Sequence, residues 1–196
     1  MGPVIAASDR ERWDTKYADK PLPGLTAPDD WLREHARPAV GGTALDIACG
    51  LGHNSIWLAQ QGWSVDAVDI SPVGLALAAR VAEQAGCYDI SWIAADLDEF
   101  QPRECAYDLI TVFRFLDRNR LPKLIEAALR PGGMLIYETF SNGQLLRPDS
   151  HLKSPQFTLG PGELPALFPE LQIVSTQEID LPDRCVARLV AIKPAM

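Results

Sequence analysis

The stretch Leu45-Asp46-Ile47-Ala48-Cys49-Gly50-Leu51-Gly52-His53-Asn54 concentrates the residue types that bind a small molecule. Gly50 and Gly52 permit a tight turn and a close backbone approach to a ligand. A Gly-x-Gly-x-x-Gly dinucleotide loop needs glycine at 55, where this chain has Ser55. Asp46, at the end of the run that leads into the loop, is unhelpful beside a pyrophosphate. It suits a cationic ligand, one with an ammonium or sulfonium group. Asp69 follows Gly50 by 19 residues, the spacing at which an acidic side chain accepts from both hydroxyls of a ribose. Asp96, in Ala94-Ala95-Asp96-Leu97, is placed to accept from an adenine amino group.

The elements around these residues alternate between two periods. Thr43–Ala48, Ser64–Asp69, Ile90–Ala94, Tyr107–Phe113 and Met134–Thr139 read as short apolar strands. Between them, His53–Gln61, Ser71–Ala85 and Leu121–Leu129 read as helices, the second with Ser71 as N-cap and Pro72 at its first position. Strands alternating with helices predict βαβ units and a parallel sheet covered on both faces. Leu171–Ile179 and Arg184–Ile192 are two further strands, and Leu181-Pro182-Asp183 between them predicts a closing antiparallel hairpin. Residues 140–160 read as a long polar connection of the kind that serves as a lid, followed by a short helix at Gly162–Phe168. Residues 1–7 read as a tail. Ser8-Asp9-Arg10-Glu11 has the form of a capping box that opens a helix through Trp13 and Tyr17, and a second helix is expected at 29–36.

Composition narrows the partners. The chain has 196 residues and a net charge of −8, without a run of Lys or Arg, which disfavours nucleic acid and anionic membranes. No apolar stretch reaches bilayer length. The first residues lack the basic start of a secretory signal, and Ala6 stands where N-myristoylation needs Ser or Thr. Cys49, Cys87, Cys105 and Cys185 include no Cys-x-x-Cys pair, and His35, His53 and His151 are scattered. No zinc spacing exists, and a reduced, cytoplasmic protein is expected. His53 reads as a helix-start residue and His151 as a solvated loop residue.

Asp46-x-x-x-Gly50-x-Gly52, Asp69, Asp96, Tyr107-Asp108-Leu109-Ile110 and Leu129-Arg130-Pro131-Gly132-Gly133 occur in that order. Together they resemble the class I S-adenosylmethionine-dependent methyltransferases over residues 40–140. The resemblance implies a Rossmann-like, doubly wound, seven-stranded α/β sheet, mostly parallel with an antiparallel C-terminal strand and helices on both faces. It implies S-adenosylmethionine as cofactor, with Asp46 near the methionine end and Ala48, Gly50 and Gly52 giving backbone contacts. Asp69 would hold the ribose, Asp96 with the Leu97 backbone the adenine, and Ile70 would pack on the adenine face. Phe113 and Arg114 would lie near the sulfonium and the methionine carboxylate.

Arg12-Trp13-Asp14-x-Lys16-Tyr17, with Cys49–Ser55 and Leu58-Ala59-x-x-Gly62, is also similar to the tellurite-resistance and thiopurine-type enzymes, which act on small molecules. Trp13 and Tyr17 share a helix face, which fits core packing and a substrate lid equally.

The expected activity is in-line methyl transfer to a small-molecule acceptor, for which positioning and water exclusion matter most. Glu138 at a strand end, Arg114 and Tyr17 are the candidate catalytic residues, and no metal is expected. Residues 1–39 would form an N-terminal helical lid or substrate segment on a cofactor-binding domain of 40–196, with the acceptor between the N-terminal helices and the 140–165 loop. A nicotinamide-dependent oxidoreductase and a non-catalytic S-adenosylmethionine-binding protein are the alternatives.

Overall fold

The computed structural model describes residues 5–38 and 41–195. The expected boundary between residues 39 and 40, and residues 1–4 of the expected tail, lie outside them. Seven strands form one sheet in the order β3-β2-β1-β4-β5-β7-β6. They are β1 (Thr43–Ile47), β2 (Ser64–Asp69), β3 (Ile90–Ala94), β4 (Tyr107–Phe113), β5 (Leu129–Phe140), β6 (Gln172–Asp180) and β7 (Cys185–Ile192). β1 with β2, β2 with β3, and β4 with β5 pair in parallel. β7 runs antiparallel to both β5 and β6, so the fold is the expected mixed sheet with a closing hairpin.

The chain divides into two compact units, 1–33 with 37–101 and 34–36 with 102–196. In the first, α1 (Ile5–Ala18) packs on α4 (Pro72–Gln84), and α3 (His53–Gln60) covers β1 and β2. α1 begins before the expected capping box, so Ser8 lies inside the helix. α2 (Asp30–His35) starts after Asp29, whose carbonyl accepts from the Arg33 amide. α4 starts as expected: the Ser71 hydroxyl accepts from the Gly74 amide, and Pro72 supplies a preset φ. Strands β1 and β2 bury Leu45, Ile47, Val65 and Val68 almost completely, which is the apolar drive that holds α3 and α4 against them.

In the second unit α5 (Leu121–Ala128) precedes β5, and α6 (Glu163–Ala166) precedes β6. β5 starts at Leu129 rather than Met134. Tyr107 pairs with Leu129 and Leu109 with Met134, so Arg130–Gly133 forms an irregularity inside the ladder rather than a turn before it. Gly133 is required there: a Cβ would lie 2.8 Å from the Tyr107 carbonyl oxygen. Among the described residues β6 pairs only with β7, and it is exposed along most of its length.

The 140–160 segment, expected as a long polar connection, has some local structure. It holds two short 3₁₀ turns, Asn142–Leu146 and Pro155–Phe157, and a bridge between Ser141 and Leu159. Buried polar groups tie it down. The Gln144 side-chain oxygen accepts from the Cys185 amide at 2.9 Å, and the Thr158 hydroxyl donates to Asn142 Oδ1 at 2.6 Å. The Arg118 guanidinium donates to the carbonyls of Gln156 and Thr158 and to the Glu163 carboxylate. Among the described residues, no helix is long and apolar enough to cross a membrane.

Candidate functional site

The glycine loop leaves the end of β1 with left-handed backbone at three alternate residues. Ala48 has φ +55°, Gly50 +57° and Gly52 +72°. A left-handed alanine is strained by about 1–2 kcal/mol, and such strain gathers at functional sites. The Cys49 amide donates to the Val68 carbonyl, and the Gly52 amide closes the turn onto the Cys49 carbonyl. Gly52 takes up the close-packing role that the missing glycine at 55 would have had. A Cβ at Gly52 would lie 2.5 Å from the Trp92 ring on β3.

Behind the loop, Asp46 is 2% exposed and accepts from the Ser55 hydroxyl at 2.5 Å. Ser55 thus makes a contact with the buried Asp46 carboxyl that a glycine at 55 could not make. In front, Asp69 Oδ2 accepts from the Gly50 amide at 2.8 Å and Oδ1 from the Ser71 amide at 2.9 Å. Burial raises the Asp69 carboxyl above its ordinary value, with the amides of Ser71 and Gly50 pulling the other way. Burial, with Asp46 and Asp69 adding to it, also pushes the Cys49 thiol well up. Cys49 is therefore a protonated packing group rather than a nucleophile.

Tyr17 lies over this loop. Its hydroxyl stands 3.2 Å from the Cβ position of Gly50, and its ring 2.8 Å from that of Gly74 on α4. The ring stacks on Trp13 at 5.7 Å, and Asp14 accepts from the Ser71 hydroxyl at 2.5 Å. Lys16 sits 4.0 Å from the Trp13 ring centre, its ammonium pushed below the usual value by burial and by Lys20 and Arg12. The sequence pairs Trp13 with Tyr17 but not with Gly74. An isolated glycine inside a helix was the available signal.

Asp96 follows β3, where the Ala95 amide donates to the Asp69 carbonyl. Its carboxylate accepts from the Asp98 amide at 2.9 Å in an Asx turn. Ile70 and Leu97 are half-buried beside these two carboxylates in the chain.

The other candidates belong to the second unit. Phe113 ends β4 buried and pairs in register with Glu138. Arg114 follows at φ +58°, its amide donating to the Glu138 carbonyl. Glu138 is fully buried, and both oxygens face arginines, Oε1 at 3.1 Å from Arg184 Nε and Oε2 at 2.7 Å from Arg188 Nε. Sequence reasoning missed both partners, because they come from the antiparallel hairpin.

Residues 44–133 match the methyltransferase domain family. The chain carries a methyltransferase domain over these residues, somewhat under half of its length. The protein is similar to "Hemagglutinin 1" of Eikenella corrodens, 36% identical over 122 residues that make up 56% of this chain and 38% of that protein. It is similar to a ubiquinone biosynthesis O-methyltransferase of Burkholderia ambifaria, 33% identical over 136 residues, 66% of this chain and 57% of that one. The chain thus spans less than two thirds of these relatives. The structure of geranyl diphosphate C-methyltransferase from Streptomyces coelicolor, in complex with S-adenosyl-L-homocysteine, superposes with a TM-score of 0.73 at 13% identity. That superposition covers 98% of this chain and all of that one, and it shows a shared fold.

At Gly50 a Cβ would meet the Tyr17 hydroxyl at 3.2 Å, so the left-handed backbone and this close approach both call for glycine, and the buried Asp69 carboxylate accepts from its amide.

Proposed function

We propose that the chain transfers the methyl group of S-adenosylmethionine to a small-molecule acceptor. The observation that carries this reading is the Asp69 carboxylate at the end of β2, whose two oxygens accept from the Gly50 and Ser71 amides, with the Ile70 amide adding to them. A carboxylate has about four acceptor positions, so capacity remains for a ribose hydroxyl. Asp46 supplies a fixed negative charge behind the loop for a cationic ligand. Asp96 and the Leu97 backbone hold the adenine edge, and Ile70 packs on its face. Ala48, Gly50 and Gly52 bring backbone within contact distance.

When bound, the donor supplies an electrophilic methyl on a sulfonium. The chain's part is to fix that group, screen it from water and receive the acceptor. Tyr17 covers the loop and is the residue of α1 we assign to the reaction. We assign Glu138 to holding β5 against β7, since its oxygens serve two arginines. A small acceptor is supported by the acidic chain and by the ubiquinone-pathway relatives. Four free cysteines support a reducing, cytoplasmic setting.

Calorimetric titration with S-adenosylmethionine, S-adenosylhomocysteine and NADH tests the reading. Binding of the two sulfur ligands alone is expected. Binding of NADH alone would restore the oxidoreductase. Transfer of labelled methyl to any of a panel of phenols, thiols and amines is the second expectation, and donor binding without transfer would favour a non-catalytic binder.

A further inference from the structure

Among the described side chains of α1, Tyr17 alone is buried, and the others are half-buried or exposed. Burying one large side chain gives a helix little apolar drive to dock, so the polar contacts of the same turn decide where α1 sits. Asp14 precedes Tyr17 by three residues, which puts both on one face of the helix. Its Oδ1 accepts from the Ser71 hydroxyl at 2.5 Å. Asp14 makes no ion pair among the described residues, whereas Arg12 on the same helix pairs with Asp9.

Ser71 is fully buried and belongs to a chain of hydrogen bonds. Its hydroxyl accepts from the Gly74 amide at 3.0 Å, its amide donates to Asp69 Oδ1 at 2.9 Å, and Asp69 Oδ2 accepts from the Gly50 amide at 2.8 Å. Tyr17 meets the far end of that chain, its hydroxyl 3.2 Å from the Cβ position of Gly50 and its ring 2.8 Å from that of Gly74. Asp14 and Tyr17 thus close a ring that runs from α1 to Ser71, to Asp69, to Gly50 and back to α1. Burial is the main cause of the raised Asp69 carboxyl, and the nearby Asp14 charge adds to it.

We propose that Asp14 is a positioning residue for S-adenosylmethionine: through Ser71 it fixes α1 so that Tyr17 covers Gly50, and docking of α1 and binding of the donor strengthen each other. The proposal rests on the methyltransferase reading and adds the dependence of that site on α1. The physical reason is linkage. If a docked α1 raises affinity for the donor, the donor holds α1 docked by the same factor. A ribose on Asp69 steadies the carboxylate and the two turns it joins, which are the surfaces that Asp14 and Tyr17 rest on.

Two measurements test it, with S-adenosylhomocysteine as the probe. In the wild type, hydrogen exchange of the α1 amides should slow when the probe binds, and unchanged exchange overturns the proposal. By calorimetry at a temperature where each protein is folded, Asp14→Leu should weaken binding about tenfold, within the range of coupling between sites. Asp14→Asn keeps an oxygen that accepts from Ser71 and should bind close to the wild type. A folded Asp14→Leu with unchanged affinity would mean that Asp14 only anchors the helix. Equal losses in the two variants would place the effect in the charge rather than the bond. Either result overturns the proposal. A wild type that does not bind S-adenosylhomocysteine overturns the methyltransferase reading instead.

Discussion

The Gly50 amide donates to Asp69 Oδ2 at 2.8 Å across 19 residues of sequence. This one bond fixes the turn after β1 against the end of β2. A loop whose shape depends on a carboxylate is also a loop whose ligand affinity depends on that carboxylate's charge. Asp69→Ala is expected to weaken S-adenosylhomocysteine binding about tenfold to a hundredfold, the range for losing hydrogen bonds to a charged group. Calorimetry reads it directly, and unchanged affinity would remove Asp69 from the site.

The same carboxylate predicts a pH dependence. Burial raises the Asp69 value above the ordinary 3.8, so it takes up a proton at a higher pH than a free aspartate. Ribose hydroxyls need the ionised form as acceptor. Ligand affinity should therefore fall as the solution is made mildly acidic, beginning above the usual aspartate range. In folding the sign is opposite: the raised value favours the native state at low pH, and that contribution is lost as pH rises through the folded value. Titrations at several pH values check the binding arm, and in Asp69→Asn the acid-side fall should be absent.

Gly74 and Tyr17 make a pair whose sign can be reversed. Alanine for glycine inside a helix stabilises by about 0.5–1 kcal/mol, and Gly74 has no positive φ to forbid it. Yet a Cβ there would lie 2.8 Å from the Tyr17 ring, and overpacking costs about 1–3 kcal/mol. Gly74→Ala should destabilise the wild type and stabilise Tyr17→Ala. Thermal unfolding of the four proteins in a double-mutant cycle decides it; stabilisation in both backgrounds would mean that Tyr17 does not rest on α4.

Arg118 holds the 140–165 segment through Glu163, whose carboxyl it keeps below the ordinary value. A lowered carboxyl contributes stability above its unfolded value and loses it as pH falls through the folded value. Arg118→Met should lower Tm modestly at neutral pH, because the pair is about one-third exposed. The difference from wild type should vanish in acid. Limited proteolysis should also cut the 150–157 stretch faster in the variant, and equal cutting would show that other ties hold the segment.

Glu138 tests the charge between β5 and β7. Removing one partner of a buried ion pair costs about 3–5 kcal/mol. Glu138→Leu should therefore unfold at much lower denaturant than wild type, whereas a surface pair such as Asp30–Arg33 should tolerate Asp30→Ala with a change under about 1 kcal/mol. A mild Glu138→Leu would mean that Arg184 and Arg188 find other partners.

What the sequence by itself determined was local or periodic. β2, β3 and β4 occupy the residues their apolar runs predict, and Ser71-Pro72 starts α4 where its capping chemistry places it. The turn after β1 was legible too, because Gly50, Gly52 and Asp69 keep their spacing and each answers a backbone or hydrogen-bond need. Tertiary structure decided the rest. Tyr17 over Gly50 and Gly74, Trp92 against Gly52, His53 beside Asp29 and Glu138 between two arginines all join residues distant in the chain. The 140–160 segment reads as a long polar connection because its residues are polar. It is tied down because Gln144, Thr158 and Arg118 find partners that only the folded hairpin and loop provide. Periods and caps act within a turn or a strand, whereas packing and buried pairing depend on which distant surfaces meet.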